Sequence, residues 1–272
     1  MNPPLVEAVQ PPLVKAVHAG NAKLVSRLLK QGRDVNEAVR GFTALHAAAT
    51  YGNSEIVRLL RARPGINANP EMEDGMTPLF LAAHFGRAAC VQLLFEFPGI
   101  DVNHATVDGT TALHTAVEGG HVDVVRLLLA HQDFDVNQAN SAGFTALLFA
   151  LQKGKYDVMR LLVASERVNV NLPFTSGATA LHLASQQGVV EAVRILAACQ
   201  RVDVNRTDPQ GFTALQMASI RGHAACVPFL RAGGVPGGGL MSERHAAGVG
   251  CLALLLALLL ALLAGWLAGA AG

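Results

Sequence analysis

A chain of 272 residues has room for one or two ordinary domains. Its 21 basic and 20 acidic residues nearly cancel, which excludes a global field that would recruit nucleic acid or acidic substrates. Apolar residues reach 51% while aromatics are only 5%, a surplus of Ala, Leu and Val that suits short, tightly packed helices better than a large aromatic core.

In chain order, MNPPLVEAVQPPLV at the start lacks a basic leader, is broken by prolines and carries Glu7, so it does not read as a secretory signal. LVKAVHAGNAKLVSRLLKQG (13–32) follows, two apolar-periodic runs joined at a glycine, which predicts a helix pair. A G-x-T-[AP]-L string then recurs with its glycine at Gly41, Gly75, Gly109, Gly143, Gly177 and Gly211, 34 residues apart each time. Such a fixed period marks a repeat architecture.

The punctuation inside each copy agrees. Thr43, Thr77, Thr111, Thr145, Thr179 and Thr213 stand where a hydroxyl caps a first helix. Pro78 takes the first helical position, where its missing N–H costs nothing. Gly52, Gly86, Gly120, Gly154, Gly188 and Gly222 then supply left-handed C-caps. Second runs such as EIVRLL, DVVRLLL and EAVRIL have helical spacing, and a D-V-N loop or a variant of it leads to the next copy. Asn36, Asn69, Asn103, Asn137, Asn171 and Asn205 end that loop, where an amide can satisfy backbone groups. The last unit has Pro228 within its expected second helix.

TALHAAATYG (43–52) and its equivalents resemble the ankyrin repeat, a β-turn plus two helices with the signature T-P-L-H-x-A. The resemblance implies an all-α solenoid over residues 5–232, about seven repeats with atypical first and last caps. The copies depart from it by one extra residue over the usual period of about 33, read as a longer loop before D-V-N, and by Ala in place of Pro after most threonines.

The resemblance also implies a protein partner bound on the concave surface. Its reading positions lie just before and after the turn glycine and just before the helix-ending glycine. Carried onto this chain they include Val39 and Arg40, Glu73 and Asp74, Val107 and Asp108 at the turn tips. On the inner helices they include Thr50 and Tyr51, His84 and Phe85, Gln152 and Lys153. Tyr51 and Phe85 are expected side by side as aromatic anchors, against the plainer reading that they pack on neighbouring helices. Phe42, Phe144 and Phe212 follow turn glycines in three GFTAL copies and read as framework. His46, His114 and His182 are implied to bond turn backbone and join repeats; strung along the stack, they do not converge as zinc ligands.

Cys90 and Cys226 fall in matching AACV strings and read as small buried hydrophobes. No G-x-S-x-G, phosphate loop or H-E-x-x-H is present, so neither an enzyme nor a cofactor is expected.

GGVPGGGLMSE (233–243) opens a glycine-rich linker over 233–245. From Ala246 to Ala271 no residue is charged, a run long enough for one C-terminal transmembrane helix. The expectation is a tail-anchored, single-pass protein with its repeats in the cytosol. The endoplasmic reticulum is the expected membrane, with the mitochondrial outer membrane as the alternative. A competing reading takes Gly237–Gly239, a polar spacer and the apolar end as a GPI signal. Ala253, Ala257, Ala261, Gly265 and Gly269 form a small-residue ridge for homo- or hetero-association, or fall in register by chance. Cys251 is a palmitoylation candidate or an inert thiol. Three functions follow: a membrane-tethered adaptor or scaffold, an inhibitor masking a soluble target, or an accessory subunit of a membrane complex.

Overall fold

The computed structural model describes residues 11–233. The linker beyond Gly233, the expected transmembrane span over 246–271, its ridge (Ala257, Ala261, Gly265, Gly269) and Cys251 lie outside the described residues. Among the described residues, no helix is long and apolar enough to cross a membrane.

Among the described residues, seven helix pairs follow one another. They are α1 (Pro12–His18) with α2 (Ala22–Lys30), α3 (Ala44–Tyr51) with α4 (Ser54–Arg61), and α5 (Pro78–His84) with α6 (Ala88–Phe95). Then come α7 (Ala112–Gly119) with α8 (Val122–Ala130), α9 (Ala146–Gln152) with α10 (Tyr156–Ala164), and α11 (Ala180–Gln187) with α12 (Val190–Ala197). The last pair is α13 (Ala214–Ile220) with α14 (Val227–Gly233), which a 3-10 turn at Ala224–Cys226 precedes. Pro228 is therefore the second residue of α14 and not interior to a longer helix, a correction to the sequence reading. A proline is tolerated there because the first turn has no partner for its N–H.

Odd-numbered helices stack on odd, even on even, giving two layers. At seven to nine residues each, the helices are below the roughly 12–15 needed for stability alone in water, so stacking holds them. Ala47, Ala48 and Ala49 are wholly buried, and their small side chains let neighbouring first helices approach closely. Larger residues such as Leu45, Ile56, Leu60, Phe134 and Met159 fill the space between layers. Cys90 and Cys226 are buried thiols, and burial pushes Cys90 up to about 11.

The first hairpin differs from the rest. Ala38–Val39 pairs with Phe42–Thr43 in the register Val39↔Phe42, leaving a two-residue loop of Arg40 and Gly41. Both have positive φ, 50° and 77°, as a type I′ turn demands. Gly41 has no substitute here, since a Cβ would stand 2.1 Å from the Glu71 carbonyl of the next repeat. The extra length of the later copies does sit before D-V-N: residues 31–33 separate α2 from Asp34, and 62–66 separate α4 from Asn67.

Each capping threonine opens its helix from an extended backbone, and in three repeats a histidine closes the box. The Thr43 N–H donates to His46 Nδ1 at 3.2 Å, which leaves the proton on Nε2 to donate to the Met76 carbonyl of the next turn at 3.1 Å. His114 repeats this toward the Phe144 carbonyl at 2.8 Å, and His182 toward Phe212 at 3.2 Å. In the last repeat Gln216 takes the histidine's place, accepting from the Thr213 N–H at 2.8 Å. No further described repeat stacks beyond it, so closing the box is all that position has to do.

The loop asparagines do more than serve their own loop. Asn103 donates from Nδ2 to the Asp133 carbonyl at 2.7 Å and accepts from the Asp135 N–H at 2.6 Å, gripping the next loop with both amide atoms. Asn36, Asn69, Asn137 and Asn171 make the same two bonds one repeat along. Within the loop, the residue two before each asparagine accepts its N–H, as Asp101 does for Asn103 at 3.0 Å. Arg167 and Arg201 add a clamp absent from the sequence reading. The Arg167 guanidinium donates to the carbonyls of Leu129 at 2.9 Å and His131 at 2.6 Å, capping the C-terminus of α8.

Two outcomes follow. Asn103→Ala should cost about 1–2 kcal/mol, because it removes two hydrogen bonds to the adjoining loop, whose carbonyl and N–H then turn to water. Asn205→Ala, whose amide grips no further described loop, should stay within about 0.5 kcal/mol, both read from urea melts. The histidines set the second. Burial lowers His46 from 6.5 to about 4 and lowers His114. The unfolded chain then binds more protons below pH 6.5, so this contribution is complete above that value and is lost as pH falls toward 4. The stability gap between the natural chain and His46→Gln should be widest near pH 7 and shrink by up to ~3 kcal/mol by pH 4. A gap independent of pH would mean that His46 is not held neutral.

Candidate functional site

The first helices present the fourth and seventh residues after each capping threonine to one side. Stacking sets these in columns: Leu81, Thr115 and Phe149 in one, Thr50, His84 and Glu118 in the other. With the turns of the same repeats they enclose a concavity of about 1120 Å³. Phe42, Met72, Met76, Phe80 and Phe85 make most of it apolar.

The turn wall is stiffened by bonds between repeats. The Val107 N–H donates to the Asp74 carbonyl at 3.2 Å, and the Ser141 N–H to the Asp108 carbonyl at 2.9 Å. Each aspartate also accepts from a turn amide, Asp74 from Met76 at 3.3 Å and Asp108 from Thr110 at 3.1 Å. The Thr106 hydroxyl donates to the Asp108 carboxylate and holds it below the usual carboxylate range. Gly109 lets the tips meet, since a Cβ there would stand 2.8 Å from the Ser141 nitrogen.

On the helix wall, His84 Nδ1 lies 2.6 Å from the Thr115 hydroxyl, and His121 Nε2 donates to the His84 carbonyl at 2.9 Å. Loss of hydration lowers His84, so the ring is neutral near pH 7. The Lys153 ammonium stands 2.5 Å from Glu118 and 5.1 Å from the centre of the Phe149 ring.

Of the positions expected to read a partner, Asp74, His84, Phe85, Val107 and Asp108 line this concavity together, and Val107 is 82% exposed. Thr50 lines it too but requires a correction, for it is only 3% exposed and its hydroxyl donates to the His46 carbonyl at 2.9 Å. Val39, Arg40, Tyr51, Glu73, Gln152 and Lys153 are not in the lining. Val39 is tied into its hairpin, Arg40 and Glu73 are exposed at turn tips, and Gln152 and Lys153 are exposed at the end of α9. Tyr51 packs edge-on to His18 of the preceding repeat at 4.8 Å, and Phe85 packs edge-on to His84 at 4.7 Å. The expected pairing of the two rings is thus replaced by contacts to different neighbours. The GFTAL phenylalanines also divide. Phe42 lies in the groove, Phe144 packs on Phe174 at 4.6 Å, and Phe212 is 41% exposed.

Phe80, Leu81, Thr115, Glu118 and Phe149 belong to the groove but were not among the expected positions. A signal existed: the fourth residue past the capping threonine is Ala47 in one copy but Leu81 and Phe149 in others. Among the described residues, no group of three or more His, Cys, Asp or Glu converges as a metal set.

A family model described as ankyrin repeats matches three times, over residues 13–106, 98–173 and 166–235. Comparison with curated proteins finds no match. Among solved structures, the chain resembles the ankyrin repeat domain of Bcl-3, described as a unique member of the IkappaB protein family. The TM-score is 0.72 with 28% identity, covering 82% of this chain and 98% of that one. The bonds that join one helix pair to the next and the family matches fall on the same stretch of sequence, and the chain belongs to the ankyrin-repeat family.

Proposed function

We propose that this chain is an adaptor: it holds a segment of a protein partner in the concavity walled by α5, α7 and α9, and residues 246–271 tether it to a membrane with the repeats in the cytosol. The observation that carries the first part is the joined apolar floor and rigid turn wall. A concave, largely apolar pocket with a few fixed polar groups is the usual form of a recognition site. Phe85 and Phe149 would act as its aromatic anchors. Catalysis is not proposed, because among the described residues no hydroxyl or thiol in the concavity stands beside a base that a carboxylate orients. The Thr115 hydroxyl meets only a histidine in an aromatic-rimmed wall, with nothing behind it to orient that ring as a general base.

The membrane part rests on sequence alone. An uncharged run from Ala246 to Ala271 suits a bilayer and no polar face suits it to a soluble helix. Arg231, Arg244 and His245 precede it, in keeping with a cytosolic side, and the endoplasmic reticulum is the membrane proposed. The small-residue ridge through Ala257, Ala261, Gly265 and Gly269 would let this segment associate with another like it.

Photo-crosslinking in cells tests the groove. A benzophenone amino acid in place of Phe85 should yield a discrete adduct with a second protein, while the same probe at Arg126, exposed on α8, should not. Adducts from Arg126 alone would move the site off the concave face. For the tether, the full-length protein should remain in the membrane pellet after alkaline carbonate while added protease digests its repeats. Repeats protected inside vesicles, or glycosylated at Asn205, which opens the acceptor sequence Asn205-Arg206-Thr207, would overturn the topology in favour of a lumenal, GPI-type route, and release by carbonate would leave a soluble masking protein as the better account.

A further inference from the structure

The concavity is one-sided in charge, although the chain as a whole is balanced at 21 basic and 20 acidic residues. Asp74, Asp108 and Glu118 line it, and among the described residues no lysine or arginine does. Asp74 and Asp108 sit on adjacent turn tips joined by the Val107–Asp74 backbone bond of 3.2 Å, and each carboxylate accepts from an amide of its own turn. Asp108 is ionised at neutral pH, since the Thr106 hydroxyl stabilises its charged form. Glu118 joins them from the helix wall, and Leu81, Phe85 and Phe149 line the same concavity.

A second observation says what such a lining attracts. Lys153, from outside the lining, lays its ammonium 5.1 Å from the Phe149 ring centre and 2.5 Å from Glu118. The chain's own side chain thus makes the contact this wall offers, a cation held between an aromatic face and a carboxylate. Nothing comparable occupies the Asp74–Asp108 wall among the described residues. There Val107, 82% exposed and bonded through its N–H to the Asp74 carbonyl, offers apolar surface on which the aliphatic stem of a long basic side chain can rest.

Resting on the groove reading above, we propose that its occupant is a partner segment in which an aromatic or long aliphatic residue lies beside an arginine or lysine. The apolar residue fills the floor against Leu81, Phe85 and Phe149, and the cation is met by Asp74 and Asp108. An acidic or phosphorylated segment would bring like charge to the same carboxylates and is rejected.

The test uses the full-length chain in mild detergent and short random peptides displayed on phage. Peptides retained should be enriched in Arg or Lys next to Phe, Tyr, Trp or Leu. A retained peptide, made synthetically and measured by fluorescence anisotropy, should bind the Asp74→Asn, Asp108→Asn double variant about tenfold more weakly. Asparagine keeps the acceptor oxygen of each turn, so an unchanged melting temperature would accompany the loss. Replacing the peptide's own Arg by Gln should weaken binding to the natural chain by a similar factor and hardly affect binding to the double variant. Retained peptides without basic enrichment, or binding that the double variant leaves intact, would overturn the charge assignment. If those peptides still lose binding on Phe85→Ala or Phe149→Ala, the groove itself stands. Peptides indifferent to both phenylalanines, or none retained at all, would overturn the groove together with its charge.

Discussion

A helix pair of this kind leaves backbone carbonyls and amides at its loop that only the next pair can meet. The asparagine at the end of each D-V-N loop is how they are met. Asn36, Asn69, Asn103, Asn137 and Asn171 each give one hydrogen and take one from the neighbouring loop, at 2.6–2.9 Å. Removing one such amide exposes two polar groups in a loop whose geometry offers them no other protein partner. That constraint makes the stack directional, and it fixes the spacing at which the first helices and turn tips meet across the concave side.

The histidines and arginines extend the same logic to other surfaces of the repeat. His46 and His114 can bind both their own cap and the next turn only as neutral rings with the proton on Nε2. Burial enforces that state. Arg167 and Arg201 reach backward, gathering carbonyls that the preceding second helix leaves open at its C-terminus. Repeat contacts are thus built from polar atoms on the loop, cap and C-terminal sides, while alanines and leucines supply the apolar contact between layers. On the concave side the joining bonds run between turn tips and at the helix ends, and the columns between them carry Phe, Leu, His and Glu at equivalent positions.

Most of the architecture was legible from residues alone because each repeat signals itself locally. Thr43 and its equivalents cap, Gly52 and its equivalents turn left-handed, and Pro78 opens a helix; none of these needs a distant partner to be recognised. The site was legible only in part. Asp74, His84, Phe85, Val107 and Asp108 do come together, because repeat periodicity carries position from copy to copy. Tyr51 and Thr50 did not behave as their positions implied. One ring is taken up by His18 and one hydroxyl by His46, neighbours that a position-by-position reading does not weigh.

By itself the sequence determined the repeat, its helix boundaries, its family and the uncharged run at its C-terminus. These depend on period, on caps and on composition, which are properties of short stretches of chain. Only the tertiary structure decided that the loop asparagines bond across repeats and that Arg167 caps a helix 36 residues behind it. It also decided that Leu81, Phe149 and Glu118 share one concavity with two turn-tip aspartates. The physical reason is that stacking turns a distance of one repeat along the chain into contact, and each contact is then settled by which neighbour's side chain gets there first.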